Sequence, residues 1–107
     1  MFPPEERDAI SKTLHDTILE LVPGTVVSNF AEGEFSFNLE RNGTLEPFCL
    51  MLVEDDRITL SLPNIADPDG LFEPVEEGRG CRLMIRKRAD MPGQSLNDAI
   101  ERAARKV

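Results

Sequence analysis

The chain of 107 residues has no Trp and no Tyr, so six Phe residues supply all of its aromatic packing. It has a single histidine, His15. Zinc sites and catalytic triads both need a second positioned group, so this scarcity weighs against them, and His15 is expected to be a partly exposed helix residue. Cysteine is nearly absent too: Cys49 and Cys81 stand far apart, each inside an apolar run, and are expected as buried, reduced thiols. No apolar run approaches membrane-spanning length, and the opening "MFPPEERDAI" turns acidic at once instead of forming a basic-then-apolar leader. There is no phosphate-cradling Gly-x-x-x-x-Gly-Lys and no nucleophile elbow, which leaves an enzyme as the least expected class. The expected compartment is the cytosol, so Asn42-Gly43-Thr44 reads as a hairpin turn and not as a glycosylation acceptor.

The composition that remains is ordinary for a globular protein, 40% hydrophobic and 30% charged, and residues 1–107 are expected to form one domain. Charge is unevenly placed within a net −8: residues 1–78 hold 17 acidic and 4 basic side chains, residues 79–107 hold 3 acidic and 8 basic. An acidic chain grips phosphate backbones poorly, so nucleic acid is not an expected partner, and neither is a membrane.

Periodicity predicts an α+β fold: an N-terminal helix, an antiparallel sheet of about five strands and a C-terminal helix. In "PPEERDAISKTLHDTILELVPG" prolines and carboxylates crowd the first turn, Ile10, Leu14, Ile18 and Leu21 make one apolar stripe, and Pro23-Gly24 ends the helix. A weak strand at "TVVSNF" precedes a meander. Phe35, Phe37 and Leu39 alternate with polar residues, "PFCLMLV" is apolar on both faces, and Ile58, Leu60 and Leu62 restore alternation. Residues 63–80, rich in Pro and Gly, are expected to connect with at most a short helical turn. "CRLMIRK" is the last strand, and Ser95 with Asp98 resembles a capping box opening a helix whose inner face is Leu96, Ile100 and Ala103.

If the helices cover one sheet face, the other is expected to carry Ser36, Asn38, Cys49, Met51, Thr59, Ser61, Arg82, Met84 and Arg86. Of these, Ser36, Asn38, Thr59, Ser61, Arg82 and Arg86 form the candidate ligand site. Small polar groups beside two guanidiniums suit a small anionic ligand or an acidic protein segment. The plainer expectation is that Arg82 and Arg86 pair with Glu34 or Glu40 across the sheet. A mixed face also suits a homodimer interface. The turn Glu54-Asp55-Asp56 is the alternative metal site, although adjacent turn residues splay outward and no calcium-loop spacing surrounds them.

The order helix, meander, "DPDGLFEPVEEGRGCRLMIRKR", closing helix resembles the YdhG-like domain family of small bacterial proteins. The residues that carry the likeness are Asp67-Pro68-Asp69-Gly70-Leu71, Gly78-Arg79-Gly80, the basic strand Arg82 to Arg86, and the early "ELVPG". The family usually has a Gly-Met-Pro turn before its second strand, where Ala31-Glu32-Gly33 stands here. It often has a His entering the strand after the central hairpin, where this chain has Arg57. The mixed sheet face makes a non-enzymatic cytosolic binding domain the leading expectation, to which the resemblance adds a largely uncharacterised family. The resemblance also carries an occasional link to frataxin-like iron handling, in which an acidic surface binds iron weakly without His or Cys ligands. The acidic first helix and Glu54, Asp55 and Asp56 would serve that role. An acidic protein-binding chaperone is the third expectation, suited by small size and low isoelectric point.

Overall fold

A computed structural model describes residues 2–63, 65, 73–74, 80–91 and 93–107, with the backbone alone at 30, 73 and 74. Helix α1 spans Pro4–Leu21. It starts where prolines cost no hydrogen bond, with Glu5 and Glu6 against the positive end of its dipole. It buries Ile10, Leu14 and Ile18, while Leu21 packs half-buried at the rim. Phe2, ahead of the helix, and Val22, just after it, are buried as well. The chain then leaves the helix through Val22, whose carbonyl accepts from the Thr25 hydroxyl at 2.6 Å, and through Gly24 at φ 90°.

Five strands follow, β1 (Val26–Ala31), β2 (Glu34–Arg41), β3 (Thr44–Val53), β4 (Ile58–Leu62) and, after a two-residue β5 (Glu73–Pro74), β6 (Cys81–Ile85). A 3-10 turn at Arg88–Asp90 leads to α2 (Gln94–Arg105). This is the expected α+β architecture. The sheet is antiparallel throughout, in the order β1-β2-β3-β4-β6-β5. At 73–74 the chain adds a short strand beside β6, where a connection with at most a short helical turn was the expectation. Asp67 to Leu71, Gly78 and Arg79, which carry much of the family likeness, lie outside the described residues.

Residues facing each other across an antiparallel ladder share a face, so the register sorts every strand. Phe37 lies opposite Cys49, Met51 opposite Leu60, Leu60 opposite Leu83, and Leu62 opposite Cys81. With Ile58 and Ile85 they make the face on which α1 and α2 pack, and Leu96, Ala99, Ile100, Ala103 and Ala104 complete that core from α2. The amphipathic stripe of α2 is as expected, but its start is not. Gly93, at φ 73°, is the N-cap, and its carbonyl accepts from the Leu96 amide at 3.1 Å. Ser95 is exposed inside the helix because glycine's left-handed backbone turns the chain earlier, and Asp98 accepts from the Gln94 side-chain Nε2 at 3.1 Å instead.

Two turns use positive φ for different reasons. Asn42-Gly43, at φ 56° and 80°, closes the β2–β3 hairpin in open solvent. Gly33, also at φ 80°, is pressed onto β3: its carbonyl accepts from the Val53 amide at 2.7 Å, and a Cβ there would stand 2.6 Å from the Val53 carbonyl oxygen. Gly43→Ala should therefore cost about 1 kcal/mol of backbone strain, and Gly33→Ala about 2 kcal/mol or more because the clash adds to it. Urea melts of both variants check this ranking, and equal costs would refute it.

Candidate functional site on the open sheet face

Neither helix covers the other face of the sheet. Register builds it in rows. One row runs Ser28, Ser36, Leu50, Ser61, Arg82, and the next runs Glu34, Leu52, Thr59, Met84. Ser61, Arg82 and Thr59 are thus brought together as expected. Arg86 lies just past the end of β6, where its backbone amide donates to Asp90 at 2.9 Å and its side chain lies 3.7 Å from the Met84 sulfur.

Cys49 and Met51 are not on this face. Both are buried against the helices, and Leu50 and Leu52 stand in their place, each 37% exposed. The run 47–53 is apolar at every position, so alternation gives it no phase. The β2–β3 pairing gives it one, with a register shift that inserts Phe48 as an extra residue. The centre of the face is therefore apolar, a shallow depression of about 310 Å³ lined by Glu34, Leu50, Leu52, Thr59 and Ser61 among others.

Ser36 and Asn38 lie on this face yet are only 3% and 4% exposed. The Ser36 hydroxyl donates to the Asn38 side-chain oxygen at 2.8 Å. The Asn38 amide nitrogen reaches the Val26 carbonyl at 2.9 Å and the Ser28 hydroxyl at 3.2 Å. Their polar atoms are spent on tying β1 to β2. The expected pairing of Arg82 and Arg86 with Glu34 or Glu40 fails on strand order. Two strands, β3 and β4, separate β2 from β6, a span of about 14 Å. Arg82 has a partner of its own and sits opposite Glu73 in the β5–β6 ladder.

The carboxylates of the alternative metal site engage guanidiniums. Arg57 lies 3.2 Å from Glu54 and 3.8 Å from Asp56, and Arg7 lies 3.6 Å from Asp55. Arg7, whose side chain is only 19% exposed, also donates to the Glu54 carbonyl at 3.4 Å and so straps α1 to the β3–β4 turn. Among the described residues no three His, Cys, Asp or Glu side chains converge on a common point. Arg7 escaped the sequence reading because it stands among acidic residues, and only the tertiary contact identifies it.

His15 is half-buried on α1, 3.1 Å from Asp16, with its ring tilted 60° against Phe37 at 5.9 Å. The His15 hydrogen bond, and then that of Lys12, holds the Asp16 carboxyl below its ordinary value. Both cysteines are buried and neither forms a disulfide. Cys49 and Cys81 fall in one row with Leu62 between them, so their Cα atoms are about 10 Å apart, beyond disulfide reach. Burial, and then the neighbouring Cys81, pushes the Cys49 thiol far above its ordinary value, which leaves it unreactive.

The comparisons with known proteins return no match among family models, curated proteins or solved structures.

Two expectations follow from this geometry. Asn38→Ala should cost about 1–3 kcal/mol because it strips partners from buried polar groups, whereas Thr59→Ala should stay within about 0.5 kcal/mol. Chemical melts of the two variants test the division between a tie and an open surface. Cys49 stays protonated in the folded chain while the unfolded thiol ionises above a pH of about 9, so the unfolded state binds fewer protons there. Cys49 stabilises fully below that pH, and its contribution should fall by about 1.4 kcal/mol per pH unit above it. Cys49→Ala should flatten the alkaline limb of the stability profile, and an unchanged limb would count against the burial.

Proposed function

We propose that this chain is a non-enzymatic binding domain whose open sheet face receives an apolar segment of another protein. The observation that carries the reading is the pair Leu50 and Leu52, exposed at the centre of a face that neither helix covers. Large apolar side chains grouped on a sheet face cost solubility and are characteristic of interaction surfaces. Thr59 and Ser61 beside them supply hydrogen-bonding groups at low conformational cost. Glu34 and Arg82 at opposite ends of the two rows give a bound segment an orientation.

A protein segment suits this face better than a small anion. The depression is shallow and centred on leucines, Arg82 already has a partner, and Arg86 lies beyond the rows beside Asp90. Non-enzymatic action is part of the proposal. The Cys49 thiol is protonated and buried, and His15 is oriented by Asp16 and Phe37 on the far side of the sheet. A YdhG-like assignment and a cytosolic location belong to the same proposal, supported by the order of elements and by two reduced thiols. No described helix is long and apolar enough to cross a membrane. Of the expectations raised above, the acidic protein-binding chaperone lies nearest to this reading. The iron reading draws no support from carboxylates that already face Arg57 and Arg7.

The test is selection of binding segments from a peptide library, followed by amide-shift mapping. Selected segments should share alternating apolar residues and shift the amides of Leu50, Leu52, Thr59 and Ser61. Leu50→Asp with Leu52→Asp should abolish binding and leave the melting temperature within a few degrees, since neither side chain is in the core. If inorganic phosphate instead raises the melting temperature, and Arg82→Gln with Arg86→Gln removes that rise, the face is an anion site and the proposal fails.

A further inference from the structure

The open face is not the only unfinished surface. Among the described residues strand β1 is an edge of the sheet, paired with β2 on one side. A sheet edge presents backbone N–H and C=O groups at alternate residues, and proteins normally guard it with charge, proline, a bulge or a covering helix. The segment "VVSNFA" contains no charged residue and no proline. Among the described residues no helix packs extensively on it, and β2 is the element that does. Its one device is the register shift between Asn29 and Ala31, where the Asn29 side chain donates to the Ala31 and Glu34 carbonyls at 3.2 and 3.0 Å. That closes the last turn and leaves Val26–Asn29 open.

We infer that β1 is an acceptor edge, to which an extended segment of another protein adds as an antiparallel strand with basic residues at its N-terminal end. Charge selects this occupant. Glu32 and Glu34 are both exposed at the C-terminal end of β1, and among the described residues neither has an ion-pair partner. A strand added antiparallel brings its own N-terminal end to that point. A second copy is disfavoured, because it would bring another net charge of −8 to the same edge. The inference stands on backbone groups and edge charge, not on Leu50 and Leu52, and it shares only Glu34 with the open-face proposal.

The test uses four short capped peptides of alternating valine and threonine on the intact protein. One carries two N-terminal lysines, one carries two C-terminal lysines, and each has an N-methylated counterpart. The N-terminal lysine peptide should shift the amides of Val26 to Asn29 and bind about tenfold more tightly at low salt than its C-terminal isomer. N-methylation should remove binding by either isomer. Glu32→Gln with Glu34→Gln should abolish the difference between the isomers while leaving weaker binding at β1. Equal affinity of the two isomers for the parent protein would overturn the assigned occupant, and undiminished binding of the methylated peptides would overturn strand addition. Shifts confined to Leu50, Leu52 and Thr59 would support the open face and overturn the edge. A dimer in sedimentation that protects the β1 amides from exchange would give the edge to a second copy and overturn the inference.

Discussion

The register of β2 against β3 is the constraint on which both faces of this protein depend. Residues 47–53 are apolar at every position, so the hydrophobic effect alone would accept either orientation of the strand. Pairing of Phe37 with Cys49 chooses one. A slip by one residue would expose Cys49 and Met51 and bury Leu50 and Leu52, since side chains alternate with a period of two. The register is pinned at two points. Phe48 enters as an extra residue beside Pro47, where the ladder is interrupted and a missing N–H is tolerated. At the other end Gly33 approaches Val53 too closely for any side chain.

Polar groups and charges play unequal parts around this frame. The buried Ser36–Asn38 pair satisfies its own hydrogen bonds and binds β1 to the sheet. Among the described residues no buried side-chain nitrogen or oxygen lacks a partner. Most exposed ion pairs are local, such as Lys12 with Asp16 or Arg57 with Glu54, while Arg88 reaches Glu6 on α1 at 3.7 Å, and exposed pairs contribute about 0–1 kcal/mol each. Arg7 differs because its side chain is mostly buried and it also donates to a backbone carbonyl of a distant element. The uneven charge of the chain therefore matters more for its partners than for its stability. Acid gathers at the β1–β2 turn, and base on β6 and α2.

Much of the architecture was legible from short-range pattern. Proline and glutamate at the start of α1, alternation in β2 and β4, and Asn-Gly between β2 and β3 each state a local backbone preference, and the fold honours all of them. The candidate site was legible only in part. Thr59, Ser61 and Arg82 do meet, because β4 and β6 alternate clearly. Ser36 and Asn38 were identified as surface groups from the same alternation, yet their neighbours on β1 bury them. Leu50 and Leu52 were missed because an unbroken apolar run carries no phase. The helix start at Gly93 was missed because a Ser-x-x-Asp pattern competes with a glycine whose φ cannot be read from its neighbours.

The sequence by itself determined the kinds and order of the elements, the apolar stripe of each helix and the separation of acid from base. Those properties depend on residues three or four apart, where helical and extended periods differ sharply. Only the tertiary structure decided which strands are neighbours, which face β3 turns to the helices, and which carboxylate each arginine meets. Strand order placed β6 beside β4 and kept its arginines from Glu34 and Glu40, and it set Cys49 and Cys81 a strand apart. These outcomes rest on backbone hydrogen bonds between distant segments. Every peptide group can make such a bond, so the choice among partners is made by the whole fold.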